Sequence, residues 1–218
     1  MPLIFTYNPI PDATLAIWHI TEDIAQLSDM VFLHPEEEFN LRSYKNELRK
    51  KQWLGVRALV QMIIPDRPMI GYDEFGKPFF SNGVAHLSIS HSGQFVAVIL
   101  SGKIPVGIDI EVPRDKILRV ADRFLAPSET PNLQEPEYLN KLMIHWCAKE
   151  ALYKMAGIPG LDLQNEIVIS RFDYLCGTWG TCRGTIRHGS RSATFPVYFL
   201  VDAGFILAYT LNREYTDK

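Results

Sequence analysis

Two rhythms of apolar and polar positions run along this chain, and they change at its turn residues. Period-two alternation, or a short apolar run closed by Gly, Pro or polar residues, predicts strands at Leu15–Ile20, Ala85–Ser90, Phe95–Leu100 and Pro105–Val112, with a short extended piece at Arg67–Tyr72. The longer 3.6-residue rhythm predicts a helix over Glu36–Ile64, closed by Pro65. It predicts a second over Pro136–Ala156, stopped by Gly157, Pro159 and Gly160, and a short one at Lys116–Phe124. Strand-like runs return at Ile167–Phe172, Thr181–Arg187, Thr194–Val201 and Phe205–Leu211. Asp73-Glu74-Phe75-Gly76-Lys77-Pro78 is turn chemistry, and His91-Ser92-Gly93 reads as a turn between two strands.

Each half repeats one order: a strand, a long helix, several strands. The expected fold class is therefore α/β (α+β), with two similar subdomains, 1–103 and 104–218, meeting near Ser101-Gly102-Lys103. Each is expected to carry a long helix on a mostly antiparallel sheet, the two related by a pseudo-twofold.

Composition adds little to this picture. A net charge of −3 and a pI near 6.1 do not suggest general nucleic-acid binding. The N-terminal stretch lacks a basic n-region and is interrupted by prolines, unlike a signal peptide. No apolar run reaches the roughly 20 residues that span a bilayer. Cys147, Cys176 and Cys182 are an odd set without disulfide or zinc spacing, so a reducing, cytoplasmic setting is expected.

The candidate chemistry lies in four places. On the strand around Val106–Val112, alternation puts Gly107, Asp109 and Glu111 on one face. Two carboxylates so close raise each other's pKa unless a cation lies between them, and Mg2+ would resolve the conflict. Gly107 is expected to leave room there for a ligand. Ordinary solvated acids are the other reading. On the helix after it, Lys141, His145 and Lys149 cluster on an arc expected to face water, while Glu150 and Lys154 lie in the arc expected to be buried. Being four apart they can touch, either as a structural ion pair or as a metal ligand or base beside a phosphate-binding lysine. On the first long helix, Lys45, Arg49, Lys50 and Arg57 form a basic arc around Trp53. That arc is either a solvated face or a phosphate site with Trp53 near an adenine. Lys77 and His91 sit in the two turns.

In chain order, Gly76-Lys77-Pro78, Ser88-Ile89-Ser90-His91-Ser92, Gly107-Ile108-Asp109-Ile110-Glu111, Arg123-Phe124-Leu125, Glu129 and Trp146-Cys147-Ala148-Lys149-Glu150-Ala151-Leu152-Tyr153-Lys154 resemble the phosphopantetheinyl transferases. The resemblance is to the monomeric, two-subdomain, surfactin-synthetase-activating type, and it covers about residues 45 to 163. It implies an active site between two similar halves, and transfer of the 4′-phosphopantetheine arm of coenzyme A to a serine of an acyl or peptidyl carrier protein, releasing 3′,5′-ADP. By the same resemblance Asp109, Glu111 and Glu150 are the magnesium ligands, with Asp109, Glu150 and Lys154 the catalytic groups. Lys149 and Lys154 would hold the pyrophosphate. Ser90, His91 and Lys77 would line the coenzyme A pocket, and Lys45, Arg49, Lys50 and Arg57 would hold its 3′-phosphate. Carrier choice, fatty-acid, polyketide or peptide-synthetase, is open; in relatives the region corresponding to 125–138 helps bind the carrier. A magnesium-dependent phosphodiesterase or nuclease, and a degenerate coenzyme A- or carrier-binding protein, are the alternatives.

Overall fold

The structure is a computed structural model that describes residues 3–129 and 137–214. It divides into two compact units, Met1–Lys103 and Ile104–Lys218. Both are α/β with antiparallel sheets, which is the expected class.

In the first unit, strands β1 (Leu3–Ile10) and β2 (Ala13–His19) form a hairpin, followed by helices α1 (Ile24–Asp29), α2 (Pro35–Ser43) and α3 (Glu47–Ile63). A small hairpin, β3 (Ile70–Tyr72) and β4 (Pro78–Phe80), precedes the longer pair β5 (His86–Ser92) and β6 (Phe95–Ser101). The main sheet runs β1-β2-β6-β5, antiparallel throughout. Trp18, Leu27, Leu54, Leu59 and Val98 are in its core.

The single helix expected over Glu36–Ile64 is two helices. Tyr44 turns to an extended backbone, and Asn46 caps α3 by accepting the Arg49 N–H at 2.9 Å. An Asn followed by Glu is a start signal that the continuous apolar rhythm conceals. Lys45 thus lies before the helix rather than on it. β1 was not expected, because Pro9 and Pro11 break its pattern; as an edge strand with register shifts it tolerates Pro9, and Pro11 lies in the turn that follows. Asp23 starts α1 with a reciprocal capping box to Gln26, 2.8 and 2.9 Å.

The second unit opens with β7 (Val106–Glu111). Two turns of 3-10 helix at 115–119 and 121–123 stand where a short α-helix was expected, and a third spans 127–129. Then come α4 (Tyr138–Ala156), β8 (Ile167–Ile169), β9 (Trp179–His188), β10 (Arg191–Val201) and β11 (Ile206–Leu211). The expected helix start, Pro136, and the proline-rich 130–136 lie outside the described residues. The sheet order is β7-β11-β10-β9-β8, again antiparallel, with α4 packed across it. Gly157, at φ +60°, ends α4 in the left-handed conformation that glycine adopts without a Cβ penalty.

Candidate active site

The register places the acids. Gly107, Asp109 and Glu111 of β7 stand opposite Thr210, Ala208 and Ile206 of β11, so all six share one face of the sheet. That face carries α4: the Thr210 hydroxyl lies 3.8 Å from Met155 Sδ, and Ile206 and Ala208 belong to the same core as Leu142, Ala148 and Leu152 of the helix. The expected space at Gly107 is filled by the helix. A Cβ there would strike the Ala151 carbonyl oxygen and come within 2.8 Å of the Met155 nitrogen. Gly107 therefore serves close backbone packing rather than a ligand.

Because the helix lies so near, its side chains reach the strand. Lys154 Nζ donates to Asp109 Oδ1 at 2.7 Å and to the Ile108 carbonyl at 3.1 Å. The Asp109 side chain is 5% exposed and that of Lys154 28%, so the pair is partly screened from water. Glu150, one helical turn before Lys154, is half-buried beside them. Its pKa is pushed up to about 7, first by burial, then by the Asp109 and Glu111 charges, with Lys154 opposing. The charges of Asp109, Glu111 and Lys154 are thus all felt at Glu150. Beneath them Cys147 is fully buried and its Sγ lies 3.7 Å from the Ile206 carbonyl. Burial first, then Asp109, holds its thiol well above the usual range and therefore protonated.

An all-carboxylate donor set is the chemistry a hard divalent cation prefers. As the side chains are placed, Lys154 supplies the counter-charge, and among the described residues no three His, Cys, Asp or Glu are gathered to ligate one ion.

Two expectations on α4 are reversed. Lys149, expected in water and at a pyrophosphate, has 0% exposure. It donates to Glu129 Oε2 (2.6 Å) and to the carbonyls of Phe124 (2.6 Å), Leu163 (2.9 Å) and Ile167 (2.6 Å). An ammonium has three hydrogens, so these acceptors saturate it and leave nothing for a substrate phosphate. His145 is buried too, its Nδ1–H donating to the Lys141 carbonyl at 2.8 Å. The two-arc reading fails because α4 is enclosed on nearly every side, so a charged residue's position on the wheel does not reveal its exposure.

The basic residues of the first unit also separate. Arg57 is 2% exposed, paired with Glu37 of α2 at 2.8 Å and stacked 3.2 Å above the Trp53 ring. Burial lowers its pKa, against the pull of Glu37 and Tyr72. Neither Arg57 nor the buried Trp53 forms an open phosphate or adenine face. Arg49 reaches one of the residues assigned to the coenzyme A pocket, a contact the sequence reading did not anticipate: its guanidinium hydrogen-bonds His91 Nε2 and lies 5.6 Å from the Tyr44 ring centroid. His91 belongs to β5 rather than to a turn, and Ser90, its strand neighbour, is buried toward the opposite face. Gln52, which the sequence did not single out, fixes this corner by donating to the Gly93 carbonyl at 2.9 Å. Lys50 is half-buried and Lys45 exposed. Lys77 is exposed on the β3–β4 turn, its N–H held by Asp73 Oδ1 at 2.8 Å.

The acidic strand and the Glu150–Lys154 helix thus lie together on one face of one sheet. Residues 105–195 match the 4′-phosphopantetheinyl transferase superfamily. Over this segment the chain is similar to that superfamily. Among individual relatives, it is 34% identical over 116 residues to the 4′-phosphopantetheinyl transferase AcpT of Salmonella typhi, an alignment covering 50% of this chain and 60% of the relative. It is 37% identical over 97 residues to a 4′-phosphopantetheinyl transferase of Bacillus subtilis, covering 43% and 42% of the two chains. It is 30% identical over 148 residues to the 4′-phosphopantetheinyl transferase Sfp of Bacillus subtilis strain 168, covering 62% and 64%. The chain therefore spans less than two thirds of these relatives' length.

Proposed function

We propose that this protein transfers the 4′-phosphopantetheine arm of coenzyme A to a serine of an apo carrier protein. The observation that carries the reading is the convergence of Asp109, Glu111, Glu150 and Lys154 on one face of the β7–β11 sheet, inside the matched segment. The names of the relatives support the same reaction.

The reaction makes a bond from the serine oxygen to the phosphorus that carries the pantetheine. It breaks the pyrophosphate P–O bond, so 3′,5′-ADP leaves with the negative charge. Glu150, half-buried next to the carboxylates, is the group that takes the serine proton. Lys154, anchored on Asp109 and a backbone carbonyl, offers a positive charge held in place before substrate arrives. A divalent cation such as Mg2+, held by Asp109, Glu111 and Glu150, would supply further charge to the pyrophosphate oxygens. Arg49, braced by His91, is the group on the first unit suited to the 3′-phosphate.

The test is intact-mass spectrometry of a panel of apo carrier proteins incubated with the protein, coenzyme A and Mg2+. A magnesium-dependent gain of about 340 Da on the carrier serine is the expected result. No gain across acyl, polyketide and peptidyl carriers, with coenzyme A still bound, would replace the transferase reading with that of a binding protein.

A further inference from the structure

Lys149 and Glu150 are adjacent in the chain, yet they serve different surroundings. Glu150 faces the acids of β7. Lys149 is about 100° further round the helix, fully buried, and ties α4 to three other segments. Its acceptors are the Phe124 carbonyl, the Glu129 carboxylate, and the Leu163 and Ile167 carbonyls that follow the helix. Glu129 is itself fixed, accepting from the Ala126 N–H at 2.7 Å and the Ile169 N–H at 2.5 Å.

A buried ion pair supplies little net stability, because apolar side chains of equal volume fill the same space without desolvating charge. What four fixed acceptors supply is direction. A helix resting on a sheet through methyl and methylene groups can roll about its axis at small cost. An ammonium locked to carbonyls on three segments cannot roll with it. The lever is long enough to matter: a roll of about 20° moves a side-chain tip, about 5–6 Å from the axis, by about 2 Å. That displacement breaks the 2.7 Å contact between Lys154 and Asp109. On the other side of α4, Gly107 sets how closely the helix approaches the strand. Gly107 therefore fixes the height of α4, and Lys149 its rotation.

We infer that Lys149 is a positioning residue for the transfer reaction: its buried tether to Glu129 and the Phe124, Leu163 and Ile167 carbonyls sets the roll of α4 that presents Glu150 and Lys154 to Asp109. The inference rests on reading those three residues as the reacting centre.

The test uses Lys149→Met together with Glu129→Gln, which removes the tether without leaving a buried unpaired charge. Two quantities are read on the full chain. One is steady-state transfer. The other is the 1H–15N signal of the Lys154 ammonium, which depends on its contacts with Asp109 and the Ile108 carbonyl and needs no turnover. The double variant is expected to lose about tenfold to a hundredfold in kcat, with the KM for coenzyme A within about twofold of wild type, and to show a shifted or broadened Lys154 signal. A folded variant with unchanged kcat and an unchanged Lys154 signal would overturn the inference and leave Lys149 as a stability element. A raised KM for coenzyme A at unchanged kcat would overturn it in favour of direct phosphate contact. If the wild-type protein modifies no carrier while the Lys154 signal still responds to the double variant, the transferase reading falls and the positioning geometry stands. If that double variant does not fold, Lys149→Gln together with Glu129→Gln, which keeps an amide donor and leaves no buried charge, reads the same two quantities.

Discussion

Replacing Gly107 by alanine tests the seat of α4 directly. The added Cβ would overlap the Ala151 carbonyl oxygen and lie 2.8 Å from the Met155 nitrogen and 2.9 Å from the Ala151 carbon. Carbon and oxygen settle no closer than about 3.3 Å, so the helix must rise by about 1.4 Å. The atoms in the way are backbone in the last two turns of a 19-residue helix, and no rotamer change can move them aside. Overpacking of this kind costs about 1–3 kcal/mol, and a rigid obstacle puts it at the upper end. At about 2–4 °C per kcal/mol, the melting temperature falls by about 6–12 °C. Gly184→Ala is the internal control. Its Cβ would meet the tip of the Leu152 side chain, a flexible group that can swing away, so its cost is expected to be about 1 kcal/mol or less. The assay is thermal unfolding of wild type and both variants, followed by the tryptophan signal and by calorimetry. A Gly107→Ala protein that melts within about 2 °C of wild type, or one more stable than Gly184→Ala, would refute the close-packing argument.

Four further outcomes follow from the same geometry. Glu37→Gln strands the buried Arg57 guanidinium and is expected to cost about 3–5 kcal/mol in denaturant unfolding, most of it recovered when Arg57→Met is added. His145 has its pKa lowered, by burial first, so the unfolded chain binds its proton before the folded one does. Its contribution to stability is whole above its ordinary pKa of 6.5 and is lost as pH falls below it, and urea unfolding at pH 7.5 and 5.5 compared with His145→Gln should show the variant with the flatter dependence. Asp109→Ala is expected to abolish carrier modification while the far-ultraviolet circular dichroism is unchanged; near-normal turnover would remove Asp109 from the site. Arg49→Ala is expected to raise the KM for coenzyme A far more than for its 3′-dephospho form, and equal effects on both would return Arg49 to a structural role beside His91.

The sequence carried the parts of this fold that depend on local periodicity. β7 and α4 were legible because a strand's alternation fixes a shared face for Asp109 and Glu111, and because Gly157 is an unambiguous stop. The spacing of Glu150 and Lys154 was legible for the same reason. What stayed hidden depends on contacts between distant segments. Lys149 looks like a surface lysine until Glu129 and the carbonyls around it are folded against it. Arg57 looks like part of a basic arc until α2 brings Glu37 over it. The break between α2 and α3 was written in Asn46, but an uninterrupted apolar rhythm outweighed one capping residue. Gly107 was read as leaving room for a ligand, because nothing local distinguishes a glycine that admits a ligand from one that admits another backbone.

The Lys149–Glu129 contact also closes a loop. It joins Glu129 to Lys149 of α4, 20 residues further along the chain. A noncovalent clasp of this kind isolates what lies inside it from what lies outside. The clasp thus stands between a change of chain length on the N-terminal side of α4 and the setting of Glu150 and Lys154.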